Sequence, residues 1–350
     1  MHDHELFKAR VDGILESVVE QEIAELIAID EMLAPVAEQV RSAVMRGKRL
    51  RAAFCYWGWR AVGQPDRDAA VKLAAVMELV HAAALVHDDV IDDSPTRRGI
   101  PSVHVALSSA SLPDRRGSGE FGHGAALAIV VGDLLIAMAG HLFANCGLPA
   151  GYLRRARPLW SALTRELMAG ECMEILVTGQ RPRLERSLKI NRLKTAKYTV
   201  ERPLQIGGVV AGASDSVLDS YSAFGVPLGE AYQLRDDMLG VFGDPQAMGK
   251  SNFDDLRGHK PTAMLALVLD EAGREARRTL DRLLGRRDLG EEDLQTIREI
   301  IDSTGVPSRI ESMIKGRTAT ALDVIHRAKL PSDATLALTD LAAALLDRVT

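Results

Sequence analysis

Apolar residues recur at helical spacing along most of this chain. The stretches Leu6 to Met32, Ala69 to Val86, Leu159 to Val177, Ser216 to Phe242, Thr262 to Leu284 and Leu336 to Leu346 each return them to one face. Alternating β-branched runs are nearly absent, and no phosphate-binding glycine-rich turn follows a strand. Both observations argue against a doubly wound α/β fold. Breaks fall at Gly63–Pro65, Ser108–Gly124, Gly179–Pro182 and Gly243–Gly258, and none of them reads as a long linker. The pattern predicts an all-α protein with a single large helical domain over residues 1–350, without solenoid repeats.

One stretch, "GAALAIVVGDLLIAMAGHLF" from Gly124 to Phe143, is apolar enough for a membrane span. Asp133 stands at its middle, where a charge costs about 2.5–3.5 kcal/mol in a bilayer. The expectation is a fully buried helix of a large core, with no membrane span. The N-terminus carries acids and no apolar signal region. Composition fits this picture: 350 residues, 47% apolar, 26% charged and a net charge of −5. That balance suits a soluble protein and argues against nucleic acid as the main partner. Cys55, Cys146 and Cys172 are far apart and lack metal-ligand spacing, which suggests reduced thiols and a cytoplasmic location.

Acidic charge concentrates at "LVHDDVIDDSPTRRG", Leu85 to Gly99. Asp88 and Asp92 are four apart, so they share a helix face, with Asp89 beside them. Like charges at that spacing destabilise a helix, and its C-terminal dipole disfavours anions. A solvated helix end is the plain reading, but the preceding run "VKLAAVMELVHAAALVH" is too apolar for a surface helix. Carboxylates so placed suit Mg²⁺, a hard cation that bridges protein oxygens to substrate phosphates. Arg97 and Arg98 would meet the same phosphates through guanidinium forks. Downstream, Asp236 and Asp237 close a second apolar stretch, and Lys250 and Lys260 follow. Two acidic pairs, each trailed by cations, suggest a diphosphate held by metals from both sides.

These motifs resemble the trans-isoprenyl (polyprenyl) diphosphate synthases. "HDDVIDD…RRG" is similar to that family's first aspartate-rich motif and "YQLRDDMLGVFGDP…GK" to its second. "RGKRLR" at Arg46 to Arg51 and "KTAKYTVERPLQIGG" at Lys194 to Gly208 match in between. Within the family, the chain looks most like actinobacterial-type geranylgeranyl diphosphate synthases. The resemblance implies the isoprenoid synthase fold, with helices around a deep central cavity, and a homodimer. It also implies Mg²⁺ dependence, with about three ions per site and Mn²⁺ as a possible substitute. The implied reaction joins isopentenyl diphosphate to an allylic diphosphate (dimethylallyl, geranyl or farnesyl) and releases inorganic diphosphate. The expected product is geranylgeranyl diphosphate or one somewhat longer.

Roles carry over by position. Asp88, Asp89, Asp92, Asp236 and Asp237 match metal ligands. Arg97, Lys194, Lys250 and Lys260 match cations around the allylic diphosphate, while Lys48, Arg51, His81 and Arg98 match the isopentenyl diphosphate site. Thr195 and Gln233 match neutral groups near the allylic carbon, and Asp255 matches an acid that orients the lysine-bearing loop. The third aspartate common in the second motif is here Gly240, and Asp244 follows one turn later. Ala84, Ala83, Val80 and Met77, upstream of Asp88, match positions that line the tunnel for the growing tail. Two alanines nearest the acids leave room for a long tail, and Ala83→Phe should shorten the product.

Three rivals remain at this level. A terpene cyclase of the same fold has no need of "GKRLR" or a second diphosphate substrate. A non-catalytic regulatory subunit would be expected to lose acidic ligands. A helical interaction module leaves the doubled acidic clusters unexplained.

Overall fold

The structure, a computed structural model, describes residues 2–110, 122–245 and 251–347. Helix α1 (His2–Ile29) opens the chain. Sequence periodicity carries this helix to Met32, but Asp30 stops it. Asp30 takes an extended conformation and accepts a hydrogen bond from Met32 N at 2.9 Å, so a separate short 3₁₀ turn follows at Glu31–Leu33. Then come α2 (Ala34–Val44), α3 (Leu50–Arg60) and α4 (Asp68–Ile91).

The "TRRGIP" segment forms a hairpin of β1 (Thr96–Arg97) and β2 (Ile100–Pro101). Its two turn residues, Arg98 and Gly99, both have positive φ (53° and 76°), the geometry of a tight type I′ connection. Beyond it lie α5 (Val103–Ala110), α6 (His123–Ala144) and α7 (Ala150–Val177). A continuous rod is then built from α8 (Leu184–Asn191), a π-helical stretch Arg192–Glu201 and α9 (Arg202–Ala211). Helix α10 (Asp215–Phe242) is followed by a short turn, Asp254–Arg257. Helices Ala263–Glu271, Arg274–Leu283, Glu291–Ser303, Val306–Arg327 and Ser332–Leu346 complete the chain. The helix expected over Thr262–Leu284 is thus broken at Ala272–Gly273.

Helix α4 packs on α6 and α3, α3 on α9, and α10 on both the π-helical stretch and Val306–Arg327. The crossing of α3 and α9 needs glycine on both sides. A Cβ at Gly58 would overlap the carbonyl of Leu204, and one at Gly207 would overlap that of Cys55. Two apolar clusters result. Helix α10 joins them, giving Tyr221, Phe224 and Leu228 to the first and Ala231, Leu234 and Val241 to the second.

Helix α4 fits the expectation of a buried apolar helix, with 72% of its most apolar window covered. Helix α6 does not. Only 44% of its window is covered, and Ile129, Val130 and Asp133 face outward. The fully buried helix expected there is corrected. Its inner face packs on α4 and α5, and Asp133 needs no burial because it lies on the outer face.

Candidate active site

A cavity of about 280 Å³ opens between the C-terminal end of α4, α7, the π-helical stretch and α10. Its wall on α4 includes His81, Ala84, Leu85 and Asp88, one face of consecutive helical turns. On the opposite side α10 contributes Gln233, Asp236 and Asp237. The two acidic motifs, 148 residues apart by the difference between 88 and 236, therefore face one space.

The α4 acids diverge. Asp88 lines the cavity, where Lys194 Nζ donates to its Oδ1 at 3.0 Å and Arg97 Nη2 to its Oδ2 at 3.2 Å. Asp92 is tied to the cavity through Lys260, whose ammonium pairs with its carboxylate. Asp89 lies a helical step round. Buried, it accepts from Arg97 Nε at 2.8 Å and borders a separate small cavity with Ser42, Arg46 and Arg98. It anchors Arg97 rather than facing the larger space with Asp88.

Electrostatics separate these groups. Burial raises the Asp88 carboxyl, but Lys260, Lys194 and Arg97 outweigh it and hold the group well below the usual carboxylate range. Burial also lifts Asp92, to about 6, and the neighbouring charge of Asp88 adds to that against the pull of Lys260. Asp237, buried on α10, is pushed up to about 7 by desolvation. Burial works against the charge on Lys194 and Lys260, yet the surrounding carboxylates raise both.

Sequence reasoning missed two acids here. Glu171 and Glu174 on α7 each lie 2.8 Å from Lys194 Nζ and line the cavity. Their spacing of three on a helix that contacts the π-helical stretch was the available signal. Tyr198 was missed too. Its hydroxyl is 2.6 Å from His81 Nδ1, and Arg51 stacks its guanidinium 4.6 Å from the ring centre. Arg51 also donates to Thr199 Oγ1 at 3.0 Å. Burial and the nearby arginines, Arg51 first among them, depress His81 well below its ordinary value, so the ring is neutral.

Thr195 Oγ1 donates to Gln233 Oε1 at 2.6 Å, and Gln233 Nε2 donates to Asp237 Oδ1 at 2.9 Å. That chain fixes which way the Gln233 amide points. The presenting backbone is π-helical: Arg202 N–H reaches back five residues to Lys197 O. Wide turns of this kind recur at functional sites. Glu166 on α7 clamps it, accepting from Lys197 Nζ and from Arg202 Nε, both at 2.7 Å.

Not every expected residue reaches the cavity. Arg98 does, although its backbone is left-handed and its guanidinium also bonds Arg46 O. Lys48 does not line it. The loop turns at Gly47 (φ 145°) and Arg49 (φ 56°), leaving Lys48 exposed with Nζ 3.4 Å from Asp347 O. Arg49 is buried instead, donating to Asp12 Oδ1 at 2.7 Å. Ala84 borders the cavity, whereas Ala83, Val80 and Met77 are buried in the apolar cluster and do not border it. Lys250 lies outside the described residues.

The donor set fits a hard divalent cation. The carboxylates crowd together, and Asp237 Oδ2 and Glu171 Oε1 are buried without a hydrogen-bond partner. Among the described residues no three acidic, histidine or cysteine side chains enclose an ion by themselves. Mg²⁺ characteristically takes only one or two protein carboxylates and completes its shell with water and substrate phosphate.

The polyprenyl synthetase family profile matches residues 33–301. The chain belongs to that family. A crystal structure of geranylgeranyl pyrophosphate synthase from Corynebacterium glutamicum, complexed with isoprenyl diphosphate and magnesium, superposes with a TM-score of 0.91. The two are 32% identical, and the match covers 98% of each chain. Geranylfarnesyl diphosphate synthase of Aeropyrum pernix is 31% identical over 286 residues, 80% of this chain and 83% of its own. The (2E,6E)-farnesyl diphosphate synthase of Mycobacterium tuberculosis is 28% identical over 306 residues, 86% of this chain and 80% of its own. These polyprenyl synthetase relatives make products of different lengths under their names, so family membership leaves product length open.

Proposed function

We propose that the chain is a trans-prenyltransferase that condenses isopentenyl diphosphate with an allylic diphosphate and releases inorganic diphosphate. The observation that carries this is the pairing of Asp88 with Asp236 and Asp237 across one cavity, with Lys194, Lys260 and Arg97 among them. Asp88, Asp92, Asp236 and Asp237 would hold Mg²⁺, which supplies Lewis-acid stabilisation of the leaving diphosphate. Lys194, Lys260 and Arg97 neutralise charge on the same group as the allylic C–O bond breaks.

Thr195 and Gln233, both on the cavity wall, keep neutral oxygens near the resulting cation, steadying it without the capture a carboxylate risks. Isopentenyl diphosphate sits on the Arg51, Arg98 and His81 side, where neutral His81 serves as a hydrogen-bonding group. The C–O bond breaks first, the resulting allylic cation is then joined to isopentenyl diphosphate by one new C–C bond, and the departed diphosphate takes the proton in the closing elimination. Leu85 and Leu167 help exclude water that would quench the cation. Small Ala84 at the apolar end supports a product of geranylgeranyl length or somewhat longer. The outward apolar face of α6 supports a homodimer, and the free Cys55 and Cys146 support a cytoplasmic location.

The test is an incubation of purified protein with Mg²⁺, labelled isopentenyl diphosphate and dimethylallyl, geranyl or farnesyl diphosphate in turn. Label is expected in chloroform-soluble, sized prenyl alcohols after phosphatase treatment, and chelation should abolish it. Consumption of an allylic diphosphate with no incorporation of label would favour the cyclase reading.

A further inference from the structure

Gly240 lies four after Asp236 on α10, one turn further along the face that borders the cavity. A Cβ at this position would stand 2.7 Å from Asp255 Oδ2. The space a side chain at 240 would take is therefore filled by a carboxylate from the following segment. We propose that Asp255 completes the acidic wall of α10, placing over Gly240 a third carboxylate for the metal-bound diphosphate; in this it rests on the prenyl synthase reading above.

Several contacts hold Asp255 in that place. Asn252 is buried, and its Nδ2 donates to Gly243 O at 3.0 Å and to Gly240 O at 3.4 Å, tying the segment to the end of α10. Leu256 is fully buried, and Gly285 N donates to its carbonyl at 2.9 Å. Lys260 N donates to Asp255 O at 3.0 Å, and its Nζ lies 3.9 Å from Asp255 Oδ1.

A second observation points to a ligand. Asp237 is 4% exposed and lines the same cavity, and its Oδ2 has no hydrogen-bond partner. A buried carboxylate oxygen without a donor, beside Asp236 and Asp255, is a costly arrangement unless a cation joins it. Lys260 serves Asp255 and Asp92 at one time, so a single ammonium is shared between both acidic walls.

Calorimetric titration of the full chain with Mg²⁺ in the presence of inorganic pyrophosphate tests this without turnover. Asp255→Asn and Gly240→Ala should each weaken Mg²⁺ uptake about tenfold, the lower end for a lost ligand-shell partner. Gly240→Asp combined with Asp255→Ala returns the carboxylate to α10 and should recover most of the lost affinity. Thermal melts of the metal-free variants check that they fold. If Asp255→Asn binds like the wild type while Asp236→Asn does not, Asp255 only positions Lys260 and the proposal fails. No Mg²⁺ uptake by the wild type would overturn the prenyl synthase reading itself.

Discussion

Lys194 Nζ lies 3.0 Å from Asp88 Oδ1, joining the π-helical stretch to the end of α4 across the cavity. Glu171 and Glu174 hold the same ammonium at 2.8 Å. Lys260 stands likewise against Asp92. The groups suited to phosphate are thus held by the groups suited to metal. A divalent cation entering alone displaces an ammonium, and a diphosphate entering alone leaves carboxylates uncompensated. Arriving together, they exchange partners without stranding a buried charge.

Mg²⁺ and inorganic pyrophosphate should therefore stabilise the protein synergistically. At a hundredfold excess over Kd, saturation is worth about 2.7 kcal/mol. The melting temperature is expected to rise by several degrees with both present and by less than half of that with either alone. Additive shifts in a thermal melt would contradict this.

Lys194→Gln leaves a polar side chain one atom shorter and removes the charge that the proposed function sets against the leaving group. It should lower kcat by about 10²–10³, with little change in KM for isopentenyl diphosphate. Arg51→Gln, on the other side of Tyr198, should instead raise that KM. Steady-state kinetics with each substrate varied separates the two effects.

Ala84 borders the cavity and Ala83 is sealed behind it. Ala84→Phe is expected to shorten the main product by at least one isoprene unit. Ala83→Phe should do so only by pushing the α4 backbone, with an overpacking cost of about 1–3 kcal/mol. Chromatography of dephosphorylated products, paired with urea unfolding, distinguishes them.

Asp237 is held up to about 7 by burial, whereas an unfolded aspartate titrates at about 4. Between these values the folded chain binds the extra proton, so this group lowers stability as pH rises and is level above the window. His81, depressed by burial, acts in the opposite sense below about 6.5 and cancels when variants are compared. Metal-free wild type should thus lose stability relative to Asp237→Asn from about pH 4 to 7, as measured by urea denaturation with chelator. A flat difference would remove the burial account.

Gly207→Ala drives a methyl into the carbonyl of Cys55 at the α3–α9 crossing. A cost of about 1–3 kcal/mol or more is expected in chemical denaturation, since backbone rather than a flexible side chain must move.

Much of this was legible in the sequence. Helical periodicity gave the all-α class, and the spacing of Asp88 from Asp92 placed both on one face. Their convergence with Asp236 and Asp237 was suggested by two acidic pairs each trailed by cations and strengthened by the resemblance, because local pattern carries no distance between helices. Glu171, Glu174 and Tyr198 escaped notice because their meaning comes from what lies opposite. The divergence of Asp89 and the outward turn of Lys48 depend on Arg97 and on backbone angles at Gly47 and Arg49, which no periodicity encodes. The exposed face of α6 was misread because composition alone does not say how many neighbours a greasy helix has.

The widened winding of Arg192–Glu201 has an evolutionary consequence. Its looser coil stores surplus residues, and each residue of an ordinary helix turns the chain by about 100°. Excising one would let the coil tighten toward ordinary α-helical winding, and the extra rotation of each remaining residue offsets the rotation lost with the excised one. A one-residue change in length, which an ordinary helix would pass on to everything after it, can therefore be absorbed here before it reaches the packing of α9 on α3.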